Sequence, residues 1–136
     1  MRTPFTIVFA LTCTAWYASA QGPVEPTLAT RSVDGAVLYT AHCEVCHGRN
    51  GTGDGVMASA LKTKVPDLSQ LARRNKGVFL FDRVQVVIAG TAPSFISHGT
   101  REMAVWGPVF SQDMGERDLS KLRIFNLARL LEKLQK

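Results

Sequence analysis

The run Cys43-Glu44-Val45-Cys46-His47 decides how the rest of this sequence is interpreted. Two cysteines separated by two residues and followed at once by a histidine have the spacing typical of covalent haem attachment. One helical turn brings the two sulfurs beside the two vinyl groups of a haem, and the histidine then reaches the iron from one face. The motif therefore predicts one haem c, attached through Cys43 and Cys46, with its iron bound by His47.

Two other chemistries use a closely spaced pair of cysteines. A thiol–disulfide oxidoreductase would join Cys43 and Cys46 in a redox-active disulfide, which suits an oxidising compartment. That interpretation gives no role to His47, nor to Met103 and Trp106, which are discussed below as a candidate iron ligand and a candidate haem contact. A zinc site would need a second pair of metal-binding residues, which we do not find in the sequence. Haem attachment accounts for all of these residues together.

The first twenty residues have the organisation of a secretory signal peptide. Arg2 supplies a positive start, residues 5–18 form an apolar run, and Ala18-Ser19-Ala20 offers the small residues that signal peptidase reads. An uncut membrane anchor is the alternative, but a membrane span takes about 20 apolar residues and this run has 14. We therefore expect residues 1–20 to direct export and to be removed, leaving Gln21 as the first residue.

An iron held by His47 on one face has a second axial position to fill. The mature sequence offers five candidates: Met57, Met103, Met114, His42 and His98. Met103 lies far enough along the chain for its loop to close over the opposite face of a haem. His42 directly precedes Cys43, so the geometry that brings His47 to the iron keeps it away. Known haem ligation favours Met103, with His98 as the competing ligand.

The chain is interpreted as one all-α domain over residues 32–136, preceded by a tail or linker over residues 21–31. Its 136 residues, 46% apolar and 20% charged, are neither a disordered nor a coiled-coil composition. Apolar residues recur at helical spacing, and no stretch alternates as a strand would. The pattern predicts helical segments at Ser32–His42, Leu71–Arg74, Leu80–Ile88 and Glu116–Leu134.

Capping and apolar residues define these helices further. We expect Ser32 or Asp34 to cap the first helix, Asp67 to cap the second, and Gly90 to end the third. The first helix is expected to have an apolar face made of Val33, Val37, Leu38 and Ala41. The last is expected to bury a stripe made of Ile124, Leu127, Leu131 and Leu134.

Several apolar side chains are candidates to line a haem pocket. Trp106 is expected there because a buried indole N–H needs a partner, and a haem propionate is a natural one. The other candidates, for which helix–helix core is an equal alternative, are Leu61, Leu68, Val84, Ile88 and Phe110.

The sequence resembles the class I mono-haem c-type cytochromes, and the bacterial periplasmic members more than the mitochondrial ones. The likeness runs from about Val33 to Gln135. Cys43–His47 matches the attachment motif, and Met103-Ala104-Val105-Trp106-Gly107 is similar to the sixth-ligand loop of that family. Further similar features are Gly35 and Tyr39 in the first helix, the glycine-rich loop Gly48–Gly55, and Pro66-Asp67-Leu68.

Two positions depart from the pattern of that family. Ala104 stands where proline is usual, which loosens the ligand loop. Leu130 stands where the last helix often has an aromatic residue that packs on the first helix, and Phe125 is the nearby aromatic. Neither departure removes a ligand.

The resemblance implies a cytochrome c fold of three to five helices around one covalent haem, in a periplasmic protein. It also implies that the Pro66 carbonyl accepts a hydrogen bond from the ring of His47, which would fix the imidazole. With His47 and Met103 both on the iron, no position is open for substrate. We therefore expect a low-spin, one-electron carrier and not an enzyme.

Charge gives a modest indication about partners. The chain is +5, and removing Arg2 leaves +4, which two ionised propionates would bring to about +2. This balance favours redox partners with acidic docking faces. The densest basic stretch is Lys62, Lys64, Arg73, Arg74 and Lys76, with an ordinary solvated surface as the alternative. We expect no nucleic acid partner, no stable membrane insertion and a monomer.

Two other functions remain as alternatives. The chain could be a haem subunit docked permanently in a larger oxidoreductase, which a large exposed apolar patch or co-purification would favour. It could instead bind gases or small ligands, which requires Met103 to leave the iron easily. Ala104 is the feature that favours this second alternative, and carbon monoxide binding at neutral pH would reveal it.

Overall fold

The structure is a computed structural model that describes residues 32–91, 103–111 and 117–136. The predicted signal peptide over residues 1–20 and the tail over residues 21–31 lie outside the described residues. So do two of the five candidate iron ligands, His98 and Met114. Within the described part the secondary structure is helical and no strand is present, so the all-α prediction is confirmed.

The described residues form six α-helices, one more than the upper end of the three to five expected, because several are single short turns. They are α1 (Gly35–His42), α2 (Glu44–His47), α3 (Leu71–Arg74), α4 (Phe81–Ala89), α5 (Trp106–Phe110) and α6 (Arg117–Lys133). Three of these are a single turn or little more, and α1, α4 and α6 are the main helices. Two 3-10 turns, Ala58–Ala60 and Leu68–Gln70, lie in the long connection between α2 and α3. None of the helices described is both long and apolar enough to cross a membrane.

The start of α1 is fixed by Asp34. Its carboxylate accepts hydrogen bonds from the backbone N–H groups of Ala36 (2.7 Å) and Val37 (3.1 Å), which satisfies two of the N–H groups that a helix start leaves without partners. Asp34, and not Ser32, is therefore the cap.

The apolar face predicted for α1 was only partly right. Leu38 is fully buried, but Val37 is 46% exposed and Ala41 is exposed. Tyr39, which was not predicted to be buried, is buried beside Leu38. The core lies on the Leu38–Tyr39 side because α1 packs on α6 through that side, which pattern reading of an eight-residue helix does not resolve.

The stripe predicted for α6 is confirmed over most of its length. Ile124, Leu127 and Leu131 are buried, and Leu134 is partly buried against the same core. They meet Leu38 of α1, Ile88 of α4 and Phe110 of α5 in one cluster. Because α6 contacts all three helices, it is the central element of the fold.

The other predicted helix ends differ by a residue or a turn. Asp67 caps the 3-10 turn Leu68–Gln70, accepting from Ser69 N at 2.8 Å, and not α3, which follows that turn directly. Helix α4 begins at Phe81, one residue after the predicted start. Its stop at Gly90 is confirmed, since Gly90 is the C-cap and has the left-handed backbone (φ +77°) typical of a helix C-terminus. Helix α5 was not predicted, since five residues are too few for a periodic pattern.

Leu130 and Phe125 take different places on α6. Leu130 is partly buried and packs against the core. Phe125 is 43% exposed, and its ring meets Phe81 of α4 edge-on with centroids 5.2 Å apart. Phe125 therefore packs on α4. It does not take the place of the aromatic residue that the family often has at the position of Leu130.

Candidate functional site

A cavity of about 380 Å³ lies between the helices, within the range of about 300–1,000 Å³ usual for cofactor sites. Five of the six residues predicted to bind haem or iron line it: Cys43, His47, Pro66, Met103 and Trp106. They come from two segments of the chain, residues 43–66 and 103–106, and the fold brings them to one place. The sixth, Cys46, is not among the lining residues.

The attachment motif is built on the junction of α1 and α2. Cys43 ends α1 and begins α2, and its carbonyl accepts from His47 N (2.8 Å) and from Cys46 N (3.2 Å). This turn places Cys43 and His47 four residues apart on one side of the helix, so both face the cavity. Cys46, three residues after Cys43 and one before His47, lies off that row.

The glycine-rich loop after His47 wraps tightly around α2. Gly53 N donates to the His47 carbonyl (2.8 Å) and Gly55 N to the Cys46 carbonyl (3.2 Å). A Cβ on Gly55 would stand 2.5 Å from the Val45 carbonyl oxygen, so no larger residue fits there. The loop therefore holds the attachment helix from outside.

His47 is held in the form that binds a metal. Burial lowers its pKa, while the Pro66 carbonyl acts in the opposite direction, so the imidazole is neutral at pH 7. The effect of Pro66 indicates that its carbonyl lies near the ring. His47 Nδ1 is buried and has no partner at strict hydrogen-bonding geometry among the described residues, so the hydrogen bond between the ring and the Pro66 carbonyl stays a prediction. Nδ1 is thus a buried nitrogen that an acceptor could orient.

Met103 and Trp106 approach the cavity from α5 and the residues before it. Trp106 is the first residue of α5 and its ring stacks on Phe110, with centroids 5.6 Å apart. The His42 ring lies 5.0 Å from Trp106, tilted by 46°, and His42 does not line the cavity. His42 is therefore packed behind Trp106, as its place before Cys43 predicts.

The other apolar residues predicted to line the pocket fall into two groups. Leu68, Val84 and Ile88 line the cavity, whereas Leu61 and Phe110 do not. Phe110 is 2% exposed and belongs to the helix–helix core, which was the stated alternative. Leu61 follows the first 3-10 turn and is partly exposed.

Sequence reasoning missed about half of the cavity wall. The lining residues it did not name are Tyr39, Leu71, Arg74, Asn75, Leu80, Arg83, Val87, Leu127 and Leu131. The helical spacing of Leu80, Val84 and Val87 indicated that these residues share one apolar face. It did not indicate whether that face lines the cavity or packs in the helix–helix core. Among the polar members, Arg74 belongs to the basic stretch that the sequence analysis interpreted as surface, and Asn75 and Arg83 lie within or near that stretch.

Tyr39 ties the cavity wall to the end of α2. Its hydroxyl donates to the Gly48 carbonyl at 2.7 Å, and Gly48 is the C-cap of α2. Burial, followed by the nearby Cys43, Glu44 and Asp54, raises the pKa of Tyr39 to about 12. The hydroxyl therefore keeps its proton and its bond at neutral pH.

The two alternative chemistries of the cysteines receive no support. Cys43 and Cys46 are not joined in a disulfide, and burial, with Cys46 adding to it, raises the pKa of the Cys43 thiol to about 12. A redox-active pair needs a thiol of lowered pKa. Nor are any three His, Cys, Asp or Glu side chains grouped to hold a metal ion within residues 32–91, 103–111 and 117–136, as a zinc site would require.

The cavity does fit a haem. Its wall is mostly apolar, and among its residues are the thiol of Cys43, the neutral imidazole of His47 and the thioether of Met103. Imidazole and thioether are a donor pair that holds haem iron in cytochromes c. The unpartnered Nδ1 of His47 leaves the ring free to be oriented by an acceptor behind it, which is how metal-bound histidines are usually fixed.

Comparison with known families agrees with this geometry. The family model described as Cytochrome c matches residues 32–122, which include the attachment motif, Met103 and all of the cavity wall except Leu127 and Leu131. The chain therefore belongs to the cytochrome c family, and its cofactor is a covalently bound haem c with iron. The fold and cofactor predicted from the sequence are confirmed. No curated protein and no solved structure matches the chain significantly.

Proposed function

We propose that this member of the cytochrome c family carries single electrons between redox proteins in the periplasm, with His47 and Met103 as the axial ligands of its iron. One observation carries the proposal. Cys43, His47 and Met103 line a single cavity, although Met103 lies more than fifty residues from the attachment motif.

The ligands suit electron transfer better than bond chemistry. Haem c supplies an iron that exchanges one electron between its ferrous and ferric states. His47 and Met103 can remain bound in both states, so little in the protein has to rearrange. The methionine sulfur favours ferrous iron and raises the reduction potential relative to a second histidine. With both axial positions filled, no site is left for a substrate, so we propose a carrier and not an enzyme.

The wall of the cavity supports this role by excluding water. Its apolar side chains, among them Leu68, Val84 and Ile88, surround the position where the iron would be held. Arg74 and Arg83 are the charged residues of the wall, and guanidinium groups pair well with carboxylates. We assign them, with Trp106, to the haem propionates.

The surface beside the attachment helix suits a redox partner. Val45, Val56 and Met57 are 43%, 84% and 47% exposed, and Met57 N donates to the Val45 carbonyl at 2.9 Å, so these three exposed apolar residues lie close together in the fold. Lys62 and Lys64, which follow along the chain, are exposed. An acidic rim around an apolar centre on the partner would complement this surface, mainly by raising the rate of encounter.

Export is the second part of the proposal. Residues 1–20 have the pattern of a cleaved signal peptide, and haem attachment through cysteines suits an exported chain. Expression of the full chain in a bacterium with haem-attachment machinery tests this part. We expect the periplasmic fraction to contain a red protein whose mass corresponds to Gln21–Lys136 plus one haem. A full-length, membrane-bound product would contradict cleavage.

Absorption spectra of the haem-loaded protein test the ligands. We expect a sharp c-type band on reduction, and in the oxidised protein the weak far-red band of a sulfur–ferric-iron bond. Met103→Ala should lose the far-red band. Met57→Ala is the matched control and should keep it, because Met57 is exposed and does not line the cavity.

Other results would favour the alternative functions. A high-spin spectrum, or carbon monoxide binding at neutral pH by the unmutated protein, would indicate an open iron and a ligand-binding role. Co-purification with one stoichiometric partner would indicate a permanently docked subunit.

A further inference from the structure

Gln135, just beyond the end of α6, uses its whole side-chain amide to bind backbone. Its Nε2 donates to the carbonyls of Leu68 (2.8 Å) and Leu131 (2.7 Å). Its Oε1 accepts from Ala72 N at 2.8 Å. A glutamine amide has two N–H donors and one carbonyl acceptor, so every polar atom of this side chain is engaged.

These bonds join the end of α6 to the segment between the second 3-10 turn and α3. Lys136 N adds a bond to the Ser69 carbonyl at 3.0 Å. Leu68 and Ala72 are more than sixty positions from Gln135 in the chain. Gln135 is therefore a tertiary cross-link, and not a local cap of α6.

The segment that Gln135 holds is part of the cavity wall that also contains His47. Leu68 and Leu71 line the cavity, and so does Pro66, which is two residues before Leu68. From the opposite side, Gly51 O accepts from Leu68 N at 2.6 Å. The backbone of Leu68 is thus hydrogen-bonded on both sides: its N–H to the glycine-rich loop and its carbonyl to Gln135.

We infer that Gln135 is a positioning residue for the axial ligand His47. By holding the Leu68 carbonyl, it fixes the backbone from Pro66 to Leu68, and with it the position of the Pro66 carbonyl relative to the His47 ring in the same cavity wall. An acceptor at Nδ1 raises the basicity of a metal-bound imidazole, which stabilises ferric iron. Gln135 therefore tunes the reduction potential without touching the haem. This inference rests on the proposed function, because it takes His47 as an iron ligand.

The test uses Gln135→Met in the haem-loaded full chain. Methionine has nearly the same length and no N–H donor, so it removes the cross-link with little change in volume. We expect the reduction potential to rise and the proton NMR signals of the His47 ring to shift in the oxidised protein. The far-red sulfur–iron band should stay, because Met103 is on a different segment.

Asn126→Leu is the matched control. Asn126 is also a side-chain amide on α6, and its Nδ2 donates to the Val33 carbonyl at 2.7 Å, but it does not line the cavity and does not hold the Leu68 segment. It should lower the free energy of unfolding by a similar amount while leaving the potential and the His47 signals unchanged. If Gln135→Met yields no folded protein, Gln135→Asn, one methylene shorter, should produce a smaller shift in the same direction.

The outcomes separate this inference from the proposed function. If the unmutated protein shows the far-red band but both Gln135 variants match Asn126→Leu in potential and in the His47 signals, the positioning role is wrong and His47–Met103 ligation stands. If the unmutated protein lacks low-spin His–Met spectra, the proposed ligation is wrong and this inference is overturned with it.

Discussion

Gly35 of α1 lies directly against the backbone of Asn126 in α6. A Cβ on Gly35 would stand 2.8 Å from the Asn126 carbonyl carbon and 3.4 Å from the backbone nitrogen of Leu127. Only the missing side chain lets the two helices cross this closely. The crossing positions α1, and α1 ends at Cys43, so the place of the haem-attachment motif depends on it.

Gly35→Ala should destabilise the protein by forcing this crossing apart. The neighbouring atoms are helix backbone, which cannot move aside as a flexible side chain would. We expect the free energy of unfolding to fall by about 1–3 kcal/mol, as for other overpacked sites. Denaturant unfolding of the haem-loaded protein measures this. Thr40→Ala on the exposed side of α1 should have little effect, and equal stability of both variants would contradict the crossing.

Arg123→Met should remove hydrogen bonds that join α6 to α5 and to the residues before α1. Arg123 is 2% exposed, and it donates from Nε to the Ser32 carbonyl (3.0 Å) and from Nη1 to the Phe110 carbonyl (2.8 Å). Leaving a buried carbonyl without its donor costs about 1–3 kcal/mol. We expect a loss of that size or more in denaturant unfolding.

Lys121→Met is the comparison for Arg123→Met. Lys121 lies on the same helix, and its ion pair with Asp118 is exposed to solvent, so its contribution to the free energy of unfolding should be small. A loss for Arg123→Met no larger than for Lys121→Met would mean that the buried guanidinium does not support α5.

Lys76→Gly should stabilise the protein. Lys76 has a φ of +55°, the left-handed region, and is the non-glycine residue with this conformation in the described ranges. A side chain there costs about 1–2 kcal/mol, and the extra freedom of an unfolded glycine offsets part of the gain. We expect a net increase of about 0.5–1 kcal/mol in thermal or denaturant unfolding. Lys64→Gly, at an exposed lysine without a positive φ, should give no gain.

His42 should make the protein less stable in mild acid. Burial against Trp106 and Phe110 lowers the pKa of His42 below its usual 6.5, so the unfolded chain binds this proton more readily than the folded one. The stability from neutral His42 is present above pH 6.5 and is lost as the pH falls through the lowered value.

His42→Phe removes this titration and keeps an aromatic ring against Trp106. We expect its free energy of unfolding to fall less than that of the unmutated protein between about pH 7 and about pH 5. Denaturant unfolding across that range measures both curves. Parallel curves would show that His42 does not titrate on unfolding.

The sequence by itself determined the chemistry of this protein. The spacing of Cys43, Cys46 and His47 is a local property of one helical turn, so it predicts covalent haem attachment before any fold is known. Apolar spacing predicted the positions of α1, α4 and α6, although it did not resolve which side of the eight-residue α1 is buried. Met103 could be ranked first among the candidate ligands from its place in the chain, and the fold then placed it in the wall of the same cavity.

The tertiary structure decided which of these residues meet and what holds them. The sequence around Arg123 does not indicate that its guanidinium is buried and donates to two backbone carbonyls, because the same helix has many exposed charged residues. Nor does the sequence around Gln135 indicate that its side chain binds the backbone of Leu68 and Ala72. Such bonds join residues that are far apart in the chain, and the partner is a backbone group that has no sequence signal. Tertiary structure also decides that Phe110 packs in the core whereas Val84 lines the cavity. Both are apolar residues in helices, and only the crossing of α1, α4, α5 and α6 determines which side each one faces.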